Sequence, residues 1–276
     1  SAAKVELGHY LFYDTRLSAN ETQSCASCHE QARAFADGKA VPTGSTGSVL
    51  RRNSMALTNA GYSFPLTWAN PLLPTLEQQI MVPLFGENPV ELGVSGHEEE
   101  ILGRLRDDPL YQALFAAAFP EAEDPYTFEK IRQALACFVR TMISGNSPYD
   151  RYNNGDTTAL TEQQLRGLEL FHSEALQCHH CHFGFNLSGA TKHAGTVHDS
   201  FAYHNTGLYD VDGQGSYPLG NQGLIEITFE PADMGKFRAQ TLRNIAVTGP
   251  YMHDGSVATL AEVLAIYERG GRLVED

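Results

Sequence analysis

Tryptophan occurs once in this 276-residue chain, at Trp68, and cysteine only five times. So few cysteines exclude a scaffold built on disulfides. No run of ~18 apolar residues is present, which excludes a helix that spans a membrane. Cations are short: 19 Lys and Arg face 33 Asp and Glu, for a net charge of −14. Nucleic acid and anionic lipid are therefore poor partners, and a basic protein surface is a better one. Strand-like patterning is scarce, LIEITFE (224–230) being the best example. No cleavable leader is visible at Ser1, so the chain reads as mature or trimmed. Apolar residues make up 42%, enough for a core, and the length allows one or two domains.

Four of the five cysteines fall into two copies of one phrase, SCASCHE around Cys25 and QCHHCHF around Cys178. Cys-x-x-Cys-His is the attachment signature of a c-type haem. Two thiols three positions apart each reach one vinyl group of a porphyrin, and the following histidine lies under the iron. Cys25 and Cys28 would hold one haem with His29 on iron; Cys178 and Cys181 would hold a second with His182. A zinc site would want the four thiols together, and a redox dithiol needs no histidine after it. Covalent haem is attached outside the cytoplasm, which implies a bacterial periplasmic protein. Cys137 lies in IRQALACFVRTMI, where Ile131, Leu135, Phe138, Val139 and Met142 form a helical stripe, and reads as a buried thiol. His179 and His180 occupy free positions of the second motif and read as solvated or as propionate contacts. His9, His97, His172, His193, His198 and His204 carry no spacing argument.

The expected fold is mainly α: two cytochrome c-like haem domains with long loops and little β. Each half opens on a helix-like phrase, VELGHYLFYDTRLS and QLRGLELFHSEA. The polar stretch 144–157 is the natural boundary, giving an N-terminal haem domain over 1–147 and a C-terminal one over 148–276. Capping boxes are expected at Ser95–Glu98, Thr161–Gln164 and Thr259–Glu262, and PLYQALFAAAF reads as a further helix.

The paired motifs, RNSMALTNAGY, NPVELG and FRAQTLRNIAVTGPYMHDG resemble the bacterial di-haem cytochrome c peroxidase/MauG superfamily over nearly the whole chain. Residues 66–93 and 249–271 look most similar to its MbnH branch, the di-haem enzymes of methanobactin-type copper operons. The resemblance implies two covalent haems c and one Ca2+ between them. The first haem is the peroxide site. In the peroxidases a histidine in the loop before RN caps that iron; the aligned residue here is Ser45, so an open site is expected. Glu91 matches the distal glutamate that assists O–O cleavage, and Gln79 and Pro83 match residues of the distal pocket. The spacing from Gln79 to Glu91 is two residues longer than the family pattern, at Gly86–Glu87, which leaves Glu87 as a weaker candidate for the same role. Trp68 matches the relay between the haems. For the second iron the resemblance offers Tyr267 as the other ligand, as in MauG, with Met252 as its competitor. Leu260, Val263, Leu264 and Tyr267 share one helical face, which turns Tyr267 inward. The calcium ligands map onto the Asn53 side chain and the backbone oxygens of Thr248 and Pro250.

That reading is a peroxide-dependent oxidase, forming a high-valent di-haem state that oxidises a residue of a docked MbnP-like, copper-binding periplasmic protein, a tryptophan converted to kynurenine. MauG carries an exit tryptophan before its second motif; Leu176 stands there instead, and Phe183 is the nearest aromatic substitute. The alternatives are a periplasmic cytochrome c peroxidase fed by a small cytochrome or cupredoxin, which would want methionine on the second haem, and a non-enzymatic electron-transfer cytochrome.

Overall fold

The computed structural model describes residues 1–196 and 202–272, so His198 lies outside the described residues. It is mostly helical. The α-helices are α1 (Ala2–Tyr13), α2 (Leu76–Gln79), α3 (Met81–Phe85), α4 (Glu98–Arg106), α5 (Pro109–Ala118), α6 (Phe128–Val139), α7 (Pro148–Asn153), α8 (Glu162–Phe171), α9 (Ile225–Thr228) and α10 (Leu260–Glu268). Among the described residues the sheet consists of two short antiparallel strands, β1 (Tyr203–Asn205) and β2 (Lys236–Arg238), with Tyr203 opposite Arg238. No helix among the described residues is long and apolar enough to cross a membrane.

The N-terminal core is built from helix stripes. Helix α1 buries Leu7, Gly8, Leu11 and Phe12 on one face. Helix α6 buries Ile131, Ala134, Leu135, Ala136 and Val139, following the expected stripe. The two faces meet closely because Gly8 has no side chain: a Cβ there would lie 2.0 Å from the Ala134 carbonyl oxygen. Leu17, Ile101, Leu105, Tyr111 and Phe115 complete the cluster. Each fully buried Leu, Ile or Phe contributes ~1.5–3 kcal/mol. Asp108 starts α5 by accepting from the Leu110 amide, with Pro109 in the first turn.

Beyond Ile143 the interior thins. A second cluster holds Ala69, Leu208, Tyr217, Phe237, Val257 and Ile266, with Trp68 packed against it. Polar ties do the rest. Arg243 grips both oxygens of Asp150 at 2.7 and 2.8 Å, almost without solvent, and holds that carboxyl far below the usual carboxylate range. Asn59 donates to the Ser144 carbonyl and to Asn186, and Thr241 donates to the Asn186 carbonyl.

Four expectations need correcting. LIEITFE is not a strand. The Thr228 amide donates to the Leu224 carbonyl and that of Phe229 to Ile225, forming the short helix α9. Gly223 (φ +83) enters it, Phe229 (φ 59) ends it and Pro231 follows, which breaks any extended run on both sides. Ser95 does not cap α4: its hydroxyl donates to Glu87 at 2.6 Å, and His97 occupies the cap position. The boxes at Thr161–Gln164 and Thr259–Glu262 do form. Cys137 is half-buried rather than buried, since it sits one position off the inward stripe. On α10 the side facing protein is Ile266 with Val263; Leu260, Leu264 and Tyr267 are exposed, Tyr267 by 47%, so Tyr267 does not point into the protein interior.

Replacing Gly8 by Ala is expected to lower stability by ~1–3 kcal/mol through overpacking of α1 on α6, read as a fall in the thermal or denaturant midpoint.

Candidate functional site: two Cys-x-x-Cys-His turns and their surroundings

The two motifs adopt the same local structure. Cys25–Ser27 and Cys178–His180 are single 3-10 turns, closed by Cys28 donating to the Cys25 carbonyl (3.2 Å) and Cys181 to Cys178 (3.3 Å). All four thiols are free, as thioether formation requires. The turn brings each histidine to the same task. His29 Nδ1 lies 2.7 Å from the Phe35 carbonyl, and His182 Nδ1 lies 3.2 Å from the Leu187 carbonyl. A carbonyl can only accept, so Nδ1 carries the proton and Nε2 is left as a lone-pair donor for a metal. Both acceptor residues are non-glycine and left-handed, Phe35 at φ 63 and Leu187 at φ 49. That conformation is costly for Phe and Leu and aims each carbonyl at its ring. Burial lowers the pKa of both histidines and so keeps them neutral and able to ligate.

Around the first motif the expected residues come together. The Ser45 amide donates to the Glu91 carbonyl at 2.7 Å, and the Leu92 amide to Pro83 at 2.9 Å. Gln79 lies one turn before Pro83 on the same short helical run. Burial alone pushes the Glu91 carboxyl up to about 7, and its charge reaches both Cys25 and Cys28. Ser45 Oγ and Gln79 Oε1 are buried without a protein partner. Three polar groups thus collect beside the first motif, one of them a carboxyl poised to exchange a proton near neutral pH. Glu87, the weaker candidate, is exposed and engaged by Ser95.

The indole of Trp68 donates to the Asn53 carbonyl at 2.8 Å, while the Asn53 amide donates to the His253 carbonyl at 2.8 Å. The Asn53 Nδ2 donates to the carbonyls of Lys39 and Ala40, which fixes the amide and turns Oδ1 the other way. Thr248 and Pro250 precede His253 in the same strand-free segment. These are oxygen donors of the kind a hard cation takes. His253 stacks on Phe237 at 3.6 Å, and its pKa is lowered, mainly by burial, which keeps the ring neutral.

The second motif fits a large flat apolar group. Helix α8 is amphipathic, yet none of its residues is buried by protein. Leu170, Leu176, Phe183, Leu264 and Tyr267 are exposed as well. Although the Tyr267 side chain is exposed as a whole, its hydroxyl end is sheltered enough that burial raises its pKa, as do the Cys181 and Cys178 thiols, which places it near the second motif. Met252 instead packs beside the Phe237 cluster, in a left-handed conformation (φ 71).

One residue escaped sequence reasoning. Arg238 is buried, has no carboxylate partner among the described residues, and burial lowers its pKa to about 10. Its Nε, the Tyr203 hydroxyl and the Gln240 amide are all buried without partners. Tyr203 and Arg238 face each other across the strand pair, and Arg238 donates to Gln240 at 2.5 Å. The Gln240 backbone also reaches His182. Three converging donors beside an iron-ligating histidine suit an anion such as a haem propionate. The signal in the sequence was an arginine in FRAQTLRN with no acidic neighbour, which pattern alone cannot tell from a surface charge.

The comparisons with known proteins agree with this geometry. A profile of the "Di-haem cytochrome c peroxidase" family matches residues 2–158. Cytochrome-c peroxidase IdrP1 of Pseudomonas sp. (strain SCT) is 36% identical over 98% of this chain and 73% of its own length. Methylamine utilization protein MauG of Methylophilus methylotrophus is 30% identical over 96% of this chain and 72% of its own. Among solved structures, a MauG-like protein associated with microbial copper homeostasis superposes with a TM-score of 0.97 and 50% identity, covering 100% of this chain and 79% of that one. The diheme peroxidase BthA of Burkholderia thailandensis E264 gives 0.73 and 25%, over 97% and 71%. The chain belongs to the di-haem cytochrome c peroxidase/MauG family, whose members are peroxide-using oxidoreductases. Membership implies two c-type haems, one on each motif.

Protein matured with haem is expected to show two thioether-linked haems per chain in a pyridine haemochrome assay. Replacing Cys178 and Cys181 together by Ala should leave one.

Proposed function

We propose that this protein is a peroxide-dependent di-haem oxidase of the MauG/MbnH type, acting in the bacterial periplasm on a residue of a docked copper-binding protein. The observation that carries the proposal is Ser45, a short side chain whose amide donates to the Glu91 carbonyl, at the position where the peroxidases hold a histidine over the first iron. The 50% identity to a MauG-like protein associated with microbial copper homeostasis supports the choice of branch and of partner. On this reading the oxidised residue is a tryptophan, taken to kynurenine.

When bound, the haems supply the redox chemistry of peroxide cleavage and hold the oxidising equivalents. The chain's own residues do the rest. Glu91, as carboxylate, takes a proton from the near oxygen of peroxide and returns it to the far one. Gln79 and Ser45 orient the peroxide through their free polar atoms, and Pro83 shapes the pocket wall. His29 and His182 would present Nε2 to iron. Tyr267 would offer the second iron a hard anionic oxygen, which favours high oxidation states. Trp68 would serve as a relay between the haems. Asn53, Thr248 and Pro250 would hold a structural Ca2+.

The cytochrome c peroxidase reading draws on relatives such as IdrP1 and the cytochrome c551 peroxidase of Pseudomonas aeruginosa. One experiment separates the two. One equivalent of hydrogen peroxide is added to the fully oxidised protein without reductant. A rapid Soret shift with a new near-infrared band is expected; silence until one haem is reduced would make it a peroxidase, and silence in both states an electron carrier. The rate constant with peroxide should fall as pH drops below about 7 and Glu91 takes up a proton. Glu91→Gln should abolish that dependence and slow the step by ~10²–10⁴. Tyr267→Met should preserve the Soret response but remove the near-infrared band.

A further inference from the structure

Two histidines of the second motif, His179 and His180, are not the iron ligand of that motif, which is His182 on the motif's pattern. Both turn their Nε2 atoms to one carboxylate: His179 lies 3.5 Å from Glu174 Oε1 and His180 3.2 Å from Glu174 Oε2. One donor atom from each of the three residues falls within 4.8 Å of the other two. A divalent ion bound ~2.0–2.2 Å from imidazole nitrogen and carboxylate oxygen holds its donors roughly 3–4 Å apart. Small rotations of exposed Glu174 and His180 toward half-buried His179 therefore close the set around one ion. The imidazoles are 4.6 Å apart between ring centres, and a third ring, His172, stands 5.8 Å from His179. His179 Nδ1 is buried without a partner.

The backbone beneath this cluster is already fixed. The His180 amide donates to the Gln177 carbonyl at 3.0 Å, Gln177 is left-handed at φ 55, and Cys178 and Cys181 bracket the turn. Covalent attachment at both cysteines would hold the two histidines side by side, so little ordering entropy is lost when they bind an ion.

We propose that Glu174, His179 and His180 form a surface site for a late first-row divalent cation, Cu2+ in preference to Zn2+. The donor set, two imidazoles and a carboxylate with room for water, suits both ions, and the Irving–Williams order places Cu2+ above Zn2+. The site is separate from the iron ligands: His182 keeps its Nδ1 on the Leu187 carbonyl and its Nε2 for haem. The inference does not rest on the peroxide reading. It puts a 2+ charge on the turn that carries the second haem, whose reduction potential should rise when the ion binds.

The test uses the oxidised di-haem protein, equilibrated with Cu2+ or Zn2+ against a competing chelator in excess Ca2+, and counts metal per chain by elemental analysis. The expected result is one Cu2+ per chain, with an electron paramagnetic resonance signal split by two nitrogens, and weaker retention of Zn2+. His179→Gln with His180→Gln should weaken binding at least ~100-fold, beyond the ~10–100-fold that follows loss of a group that merely orients a ligand, and leave the haem spectrum unchanged. Glu174→Gln, on an exposed side chain, should weaken it less. Absence of a retained ion, or equal retention in the double variant, would overturn the site.

Discussion

Each haem-binding turn depends on one hydrogen bond, from the proximal imidazole to the carbonyl of a left-handed residue five or six positions on. Without it the ring could rotate, present either nitrogen, or protonate. With it, Nε2 is the one free donor and points where the turn points it. The local strain at Phe35 and Leu187 shows how strongly the surrounding chain imposes the arrangement. In the first motif the Glu30 and Phe35 amides close the 30–36 loop; in the second, the Leu187 and Ser188 amides close 183–188. The device recurs though the loop sequences EQARAFA and FGFNLS share nothing obvious, because the requirement is on backbone direction and not on side chains.

The two motifs sit in unequal surroundings. The first lies against a helix-built core that buries Leu7, Leu11, Ile131 and Leu135 completely or nearly so. The second is ringed by apolar side chains that protein does not cover, on α8, α10 and the turn itself. There a porphyrin fits as part of the core, and polar anchors such as Arg243–Asp150 carry more of the organisation. This explains how a chain with long loops and two three-residue strands can still be one ordered structure: the cofactor's apolar faces do what a sheet would do elsewhere.

The electrostatics divide the same way. Near the first motif the unpartnered buried atoms are oxygens, Ser45 Oγ, Gln79 Oε1 and Asp37 Oδ2, with the Glu91 carboxyl raised by burial beside them. Near the second, Arg238 Nε, the Tyr203 hydroxyl and the Gln240 amide are donors suited to an anion, with His179 Nδ1 also unpartnered.

The two Cys-x-x-Cys-His turns, the helical class and most helix starts were legible in the sequence, because each rests on local spacing or on a contiguous motif. Tertiary structure decided the remainder. LIEITFE became a helical turn because Gly223, Phe229 and Pro231 bend the chain on both sides. Ser95 left its helix to bind Glu87. The buried face of α10 fell on Ile266, leaving Tyr267 toward the cysteines of a motif some 90 residues earlier. Arg238 met the Tyr203 hydroxyl only when strand pairing set the two opposite each other. Helical periodicity states which residues share a face, not what that face meets; the partner comes from distant parts of the chain, and only the folded chain brings it there.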